Sequence, residues 1–440
     1  MSIRVSATGD SMLLHLFPEG YAWQDIADAI SNCQVRITNL EEVLSNWDCC
    51  ASTYCGGQWI NAEPDRLPEL MRYGFNLFSC ANNHAMDYSY DGIASTMRAL
   101  RSQQVPFAGI GEDLDTANAP ATFEVPQTSQ RVAMISATST FIDAARAGNA
   151  RGSIPGRAGI NPLRIKVSYQ VTQEHFDQLR EIAQATYING ERDNARKIGS
   201  LPPEVEGSLN FGGQFFTVSK DGVEGKTTTC DKRDLNRILA TIRQAREAND
   251  LVLVSIHSHQ IRRMSYREPD YFLEEFAHAC IDAGADAVIG GGTHQLKPIE
   301  IYQGKPIFYS LGNFIFQSGM VAQLPAEYWD KYHFPVELTV AQAQARKTKG
   351  GTIGLETDED NYLSILPRME FDDDGSLLSL DLVPIELNFK RERAFKGLPV
   401  LADAATSQRI LDRLREVSAG YGTSYSLEDG TIHVSWERQA

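Results

Sequence analysis

The chain has 440 residues, of which 42% are hydrophobic, 9% aromatic and 22% charged. That composition excludes a disordered or disulfide-stapled chain and predicts either two domains or one large α/β domain with an appendage. A formal charge of -16, from 41 Lys and Arg against 57 Asp and Glu, weighs against nucleic acid and anionic lipid as partners.

Ile3 to Ala7, Val35 to Thr38, Leu77 to Cys80, Val132 to Ser136, Leu251 to Ile256, Ala287 to Ile289 and Ile307 to Tyr309 are short apolar runs that read as core strands. Between them, Trp23 to Ser31, Arg66 to Tyr73, Tyr90 to Gln103 and Tyr271 to Ala283 carry apolar residues at three- and four-residue spacing, as crossover helices do. Residues 141–230 loosen into a Gly-, Arg- and Pro-rich stretch, a helical segment at Glu174 to Tyr187 and a Gly-rich run, which predicts a lid or substrate-shaping insertion. The expected organisation is a core over 1–320 and a smaller α+β portion over 321–440 packed on it. In the latter, Leu363 to Glu370 and Leu377 to Leu382 read as antiparallel strands and Ala402 to Ser418 as a helix. No apolar stretch long enough for secretion or for crossing a membrane precedes Ile3, so the expectation is a cytoplasmic protein. The 7 cysteines are odd in number and lack a C-x-x-C pair, which fits reduced thiols; Cys49, Cys50 and Cys55 cluster in one loop, with no histidine near them in sequence to complete a soft-metal site.

Polar groups fall repeatedly just after the core strands. Asp10 follows the first, Glu41 the second, and Asn82-Asn83-His84-Ala85-Met86-Asp87 the third; His257-Ser258-His259 ends the Leu251 strand, and Gly290 to His294 follows the Ala287 strand. Taken singly, each has an ordinary explanation: Asp10 as a helix cap, Glu41 as a solvated carboxylate, the Asn-Asn-His run as a turn. Taken together they should meet, because ligands of an open α/β sheet bind outside the carboxyl ends of its strands. Oxygen donors mixed with imidazoles point to a divalent metal that acidifies water or stabilises an oxyanion. No phosphate-binding P-loop, Rossmann fingerprint or Gly-x-Ser-x-Gly elbow competes with that reading.

Gly9-Asp10, Asn39-Leu40-Glu41, Ala81 to Tyr88, Ile281 to Asp286, Pro298 to Tyr302 and Tyr309 to Phe314, in this order, resemble the poly-gamma-glutamate capsule synthesis (CapA-type) family of the calcineurin-like metallophosphoesterase superfamily. The resemblance covers about residues 3–317. It implies a four-layer α/β/β/α sandwich with the metal at the sheet rim. Carried over, it makes Asp10, Glu41, Asn83, His257 and His294 metal ligands, and His84 the superfamily's Asn-His partner. The chain departs from the pattern in three places: Asp-x-His is Asp10-Ser11-Met12, the bridging Asp is Glu41, and glycine stands at both Gly291 and Gly292. With ligands removed, the sequence predicts one divalent ion (Ca, Mn, Mg or Zn), with His259 as a replacement ligand.

His84 with Asp87, and His294 with Asp10, are the expected proton-exchanging pairs. They suggest Cα epimerisation of a peptide or glutamyl-type substrate, as in the lasso-peptide epimerases that the resemblance brings in. The alternatives are metal-dependent hydrolysis of an amide or phosphoester and a non-catalytic module that binds polyglutamate or a peptide. Arg164 is the candidate to receive a substrate carboxylate, against the plainer reading of an exposed arginine.

Overall fold

The computed structural model describes residues 2–437. Ten elements position the site. They are β1 (Ile3–Met12), β2 (Val35–Leu40), β3 (Leu77–Ser79), β4 (Arg131–Thr138), β5 (Leu251–Ser258), β6 (Ala287–Gly292) and β7 (Asn313–Phe316), with helices α1 (Ser89–Ser102), α2 (Lys232–Ala248) and α3 (Tyr271–Asp282). The expected core strands all form, most of them extending one to five residues beyond the apolar run. The extension matters because β1 and β5 carry Asp10 and His257 inside the strand, where backbone pairing fixes them.

Two sheets stack face to face. In the first, β1 runs parallel to β2 and β2 parallel to β3; in the second, β5 lies parallel to both β4 and β6. Val5, Ile37 and Leu77 of the first sheet and Met134, Leu253 and Ile289 of the second share one fully buried apolar layer. Ile93, Met97 and Leu100 of α1 cover the outer face of the first sheet, and Ile238, Ile242, Phe272 and Phe276 of α2 and α3 cover that of the second. Strands buried on both faces read as near-continuous apolar runs, which is why they are legible in the sequence. The result is the α/β/β/α sandwich.

Two segments are organised differently from a simple appendage and lid. Leu363–Phe371 pairs antiparallel with Ile3 to Ser6 of β1, and Leu377–Glu386 pairs with it in turn, so the C-terminal strands continue the first sheet. Beyond Ser6 that edge of β1 passes to β7, which pairs parallel with Asp10 to Met12 across a register break at Asp10/Ser11. Residues 165–230 build their own four-stranded sheet with helices Gln173–Thr186 and Gly190–Lys197, and this sheet leans on α3 through Gly225–Cys230. Among the described residues no helix is long and apolar enough to cross a membrane.

Candidate metal centre

The parallel strands end on one rim, and their last residues converge there. The break in β1 lets Asp10 N donate to Gly312 O (3.1 Å). A Cβ on Gly9 would lie 1.8 Å from that same oxygen, so only glycine permits the approach. Asp10 is fully buried; Oδ1 accepts from Asn39 Nδ2 (2.7 Å) and Oδ2 from Gly292 N (2.8 Å). A Cβ on Gly291 would come within 2.6 Å of Asp10 Oδ1, so glycine at this position leaves room for the carboxylate.

Glu41 is the centre of the arrangement. It is fully buried, and neither carboxylate oxygen has a hydrogen-bond partner. Its Oε1 lies 3.3 Å from His257 Nε2, 3.9 Å from His259 Nε2 and 4.0 Å from His84 Nε2. His257 and His259 project to the same side because they stand two apart in extended chain, and their Nε2 atoms are 3.0 Å from each other. Asn83 Oδ1 completes the group, 2.6 Å from His257 Nε2 and 3.2 Å from His259 Nε2. A buried carboxylate costs several kcal/mol unless paired or metal-bound; Glu41 has His257 as its close partner, and together with the facing imidazole nitrogens and the Asn83 amide oxygen it offers the donor set of a cation site. Two groups of ligand atoms within 4.8 Å share it: Glu41 with His257 and His259, and Asp10 with Glu41 and His294.

The charges sort the histidines. Burial opposes charging His257, but Glu41 and Asp10 outweigh it and raise that imidazole to about 10, so without a cation the ring carries the compensating positive charge. Burial lowers His259 to about 4, leaving a neutral ring with a free lone pair. Glu41, which burial alone would raise, is held well below the usual carboxylate range by His257 and its neighbours. His294 has a left-handed backbone (φ +63) and sets Nδ1 2.9 Å from Asn313 Oδ1. Asn313 donates its own Nδ2 to Asn361 O (2.9 Å); the oxygen therefore accepts Nδ1–H and His294 Nε2 keeps its lone pair, the outer-shell device by which proteins orient ligating histidines.

His84 stands beside this group. Its Nδ1 is 2.6 Å from Asp87 Oδ2, which also accepts Ile60 N (2.8 Å). Burial disfavours the charged ring, but Asp87 and Glu41 raise His84 above the ordinary imidazole range, making it a proton donor near neutrality. His84, His259, His294 and Asn83 line a cavity of about 320 Å³ that Lys347, Leu355 and Glu356 also line. Asn83 and Asp87 also line an adjoining space of about 180 Å³ with Phe141 and Ile142.

The sequence-derived residues thus come together: Asp10, Glu41, Asn83, His84, His257, His259 and His294 share one rim, and Asp87 backs His84. Two expectations are corrected. Asp10 does not line the cavity, and both its oxygens are engaged, so it orients neighbours rather than exchanging protons with His294. The Arg164 fork is taken up by Asp234, through Nε–Oδ2 at 2.7 Å and Nη2–Oδ1 at 2.9 Å, and the residue lines no wall of the site cavity; it closes the junction of the inserted sheet with α2. Cys49 and Cys50 form no metal-binding group, nor does the buried Cys55, among the described residues. Asn39 and Asn313, which orient the acid and histidine groups, went unassigned. A lone asparagine has too many ordinary uses to stand out, although both sit in strand-end runs that the resemblance marks.

A sandwich of this topology is the calcineurin-like α/β fold, with residues at its rim that could hold a metal ion. Residues 4–318 match the family described as "Bacterial capsule synthesis protein PGA_cap", and the chain belongs to that family. It is 31% identical over 435 residues to "Uncharacterized protein y4sH" of Sinorhizobium fredii (strain NBRC 101917 / NGR234), covering 96% of this chain and 91% of the relative. "PGA biosynthesis protein CapA" of Bacillus subtilis (strain 168) is 25% identical over 261 residues, covering 59% of this chain and 47% of its own length. "Capsule biosynthesis protein CapA" of Bacillus anthracis is 24% identical over 261 residues, covering 59% and 44%.

Proposed function

We propose that the protein is a metal-dependent acid/base enzyme acting on a peptide or glutamyl-type substrate, with hydrolysis as its reaction. The observation that carries this reading is the Glu41 carboxylate, buried without a hydrogen-bond partner and faced by His257, His259 and Asn83. These groups would hold a divalent cation, which when bound would supply Lewis-acid chemistry for acidifying water and stabilising a developing oxyanion. Neutral His259 and the Asn313-oriented His294 would be among its ligands, while Asp10 holds the imidazole of His257 from its Nδ1 side at 3.4 Å.

The protein's own contribution to the chemistry is His84. With Asp87 on Nδ1, its Nε2 faces the cavity beside Glu41 and can deliver a proton to a leaving group. Epimerisation requires a second base on the opposite face of the Cα. The pair anticipated for that, Asp10 with His294, is otherwise engaged, which supports hydrolysis over epimerisation as the reading. The glutamyl class is supported by the relatives whose names place them in PGA or capsule biosynthesis.

The test is incubation of Mn2+-loaded protein with poly-γ-glutamate and with peptides in heavy water. Chain shortening that is lost in His84→Ala is the expected result. Deuterium at Cα without shortening would establish epimerisation instead, and neither change would leave the non-catalytic binding module.

A further inference from the structure

Part of the cavity lining comes from residues 347–356, beyond the family-matched 4–318. Its notable member is Lys347, at the end of the helix Val340–Lys347. Lys347 Nζ donates to Gln58 Oε1 (3.2 Å), and the rings of Tyr332 and Tyr328 lie 5.4 and 5.9 Å away. The charged groups around it are Glu356 and Lys331, together with the Cys55 thiol. No carboxylate reaches it within 4.0 Å to form an ion pair among the described residues. Glu356 is instead turned to Ser318, at 3.4 Å. Lys331 donates to Gly57 O. Lys347 is half-buried in the cavity lining, and burial lowers it from its ordinary value. Glu356 acts on this charge from beyond ion-pair distance, so the ammonium has no close ion-pair partner and an incoming anion could supply one. Met12, Ile60, Phe316 and Leu355 give the cavity that Lys347 shares with the histidines an apolar lining.

We propose that Lys347 and Gln58 form a carboxylate receptor, so that the substrate is a chain presenting a free carboxylate across an apolar spacer from the reacting bond. This deepens the reading of the site as a metal-dependent enzyme and rests on it. The carboxylate has two sources of the same chemistry, the C-terminus of a peptide and the α-carboxylate of a γ-linked glutamyl unit. Lysine suits the role because its compact charge, steadied by an amide oxygen and aromatic faces, accepts a carboxylate without a fixed fork geometry.

The experiment measures binding by calorimetry for two probe pairs, N-acetylphenylalanine against its carboxamide and tri-γ-glutamate against its α-carboxamide form. It uses wild type, Lys347→Gln and Lys347→Arg, with metal content read in parallel. A charge-assisted hydrogen bond predicts about a tenfold or greater preference for the carboxylate in wild type. The preference should vanish in Lys347→Gln and survive in Lys347→Arg. The pair with the larger preference identifies the source. Preference that persists undiminished in Lys347→Gln, or wild type that binds neither carboxylate probe, overturns the inference. Failure of the metal reading shows separately, as wild-type protein that takes up no divalent cation, because the carboxylate preference is read from binding and not from turnover.

Discussion

Metal uptake should expel a proton from His257. In metal-free protein that ring is charged, with Glu41 3.3 Å from Nε2 and Asp10 3.4 Å from Nδ1 holding it at about 10. A cation at Glu41 must take the Nε2 lone pair, so ligation competes with protonation. At pH 7 the competition spans about three decades, or about 4 kcal/mol of apparent affinity at ~1.4 kcal/mol per decade. The apparent Kd for Mn2+ should therefore fall about tenfold for each pH unit gained between 7 and 9. Calorimetry in buffers of different ionisation enthalpy should find about one proton released per ion at pH 7. The sign for stability follows from the same shift: a pKa raised in the fold stabilises metal-free protein below the unfolded value near 6.5, and that stabilisation is lost as the pH rises towards 10. Chelated protein should thus show a falling Tm over that window, and loaded protein should not. Binding with no proton release and a pH-independent Kd would refute the assignment of His257 as the charge that the cation replaces.

Three further outcomes follow from the geometry. Asp87→Asn should lower kcat by about 10²- to 10⁴-fold with metal content unchanged, because it removes the carboxylate that keeps His84 protonated; the fall in wild-type activity at alkaline pH should move to lower pH in this variant. Gly291→Ala places a Cβ 2.6 Å from Asp10 Oδ1 and should cost about 1–3 kcal/mol of stability, read as a lower urea midpoint, together with weakened metal binding. Asn313→Ala removes the acceptor of His294 Nδ1–H and should weaken metal affinity about 10- to 100-fold, measured by competition with a chromophoric chelator; unchanged affinity would detach His294 from the centre.

The sandwich was legible because its central strands are buried on both faces and its crossover helices on one, so apolar runs and three-to-four spacing alternate plainly. The site was legible because Asp10 and His257 lie near the ends of strands that continue the apolar runs, because Glu41, Asn83, His84 and His294 come just after strands, and because parallel strands carry their ends to one rim. What was hidden is what depends on pairing distant in sequence. Nothing near Leu363 announces that this strand extends the sheet through Ile3 to Ser6. The engagement of Asp10 depends on Asn39 and on a backbone amide from Gly292, and a neighbour's backbone leaves no mark in composition. Arg164 looked available because Asp234, seventy residues away, is invisible as its partner until the inserted sheet folds against α2. Lys347 and Gln58 escaped for the same reason: a helix-terminal lysine is ordinary until a loop 289 residues distant is found beside it.

The most direct measurement is anomalous diffraction from a crystal of the protein soaked in Mn2+. The account predicts a single peak between Glu41 and the Nε2 atoms of His257 and His259, within reach of Asn83 Oδ1, and its loss in Glu41→Ala. A pair of peaks bridged by Glu41, with the second held by Asp10 and His294, would contradict the single-ion reading, and an empty map at this rim would contradict the metal centre itself.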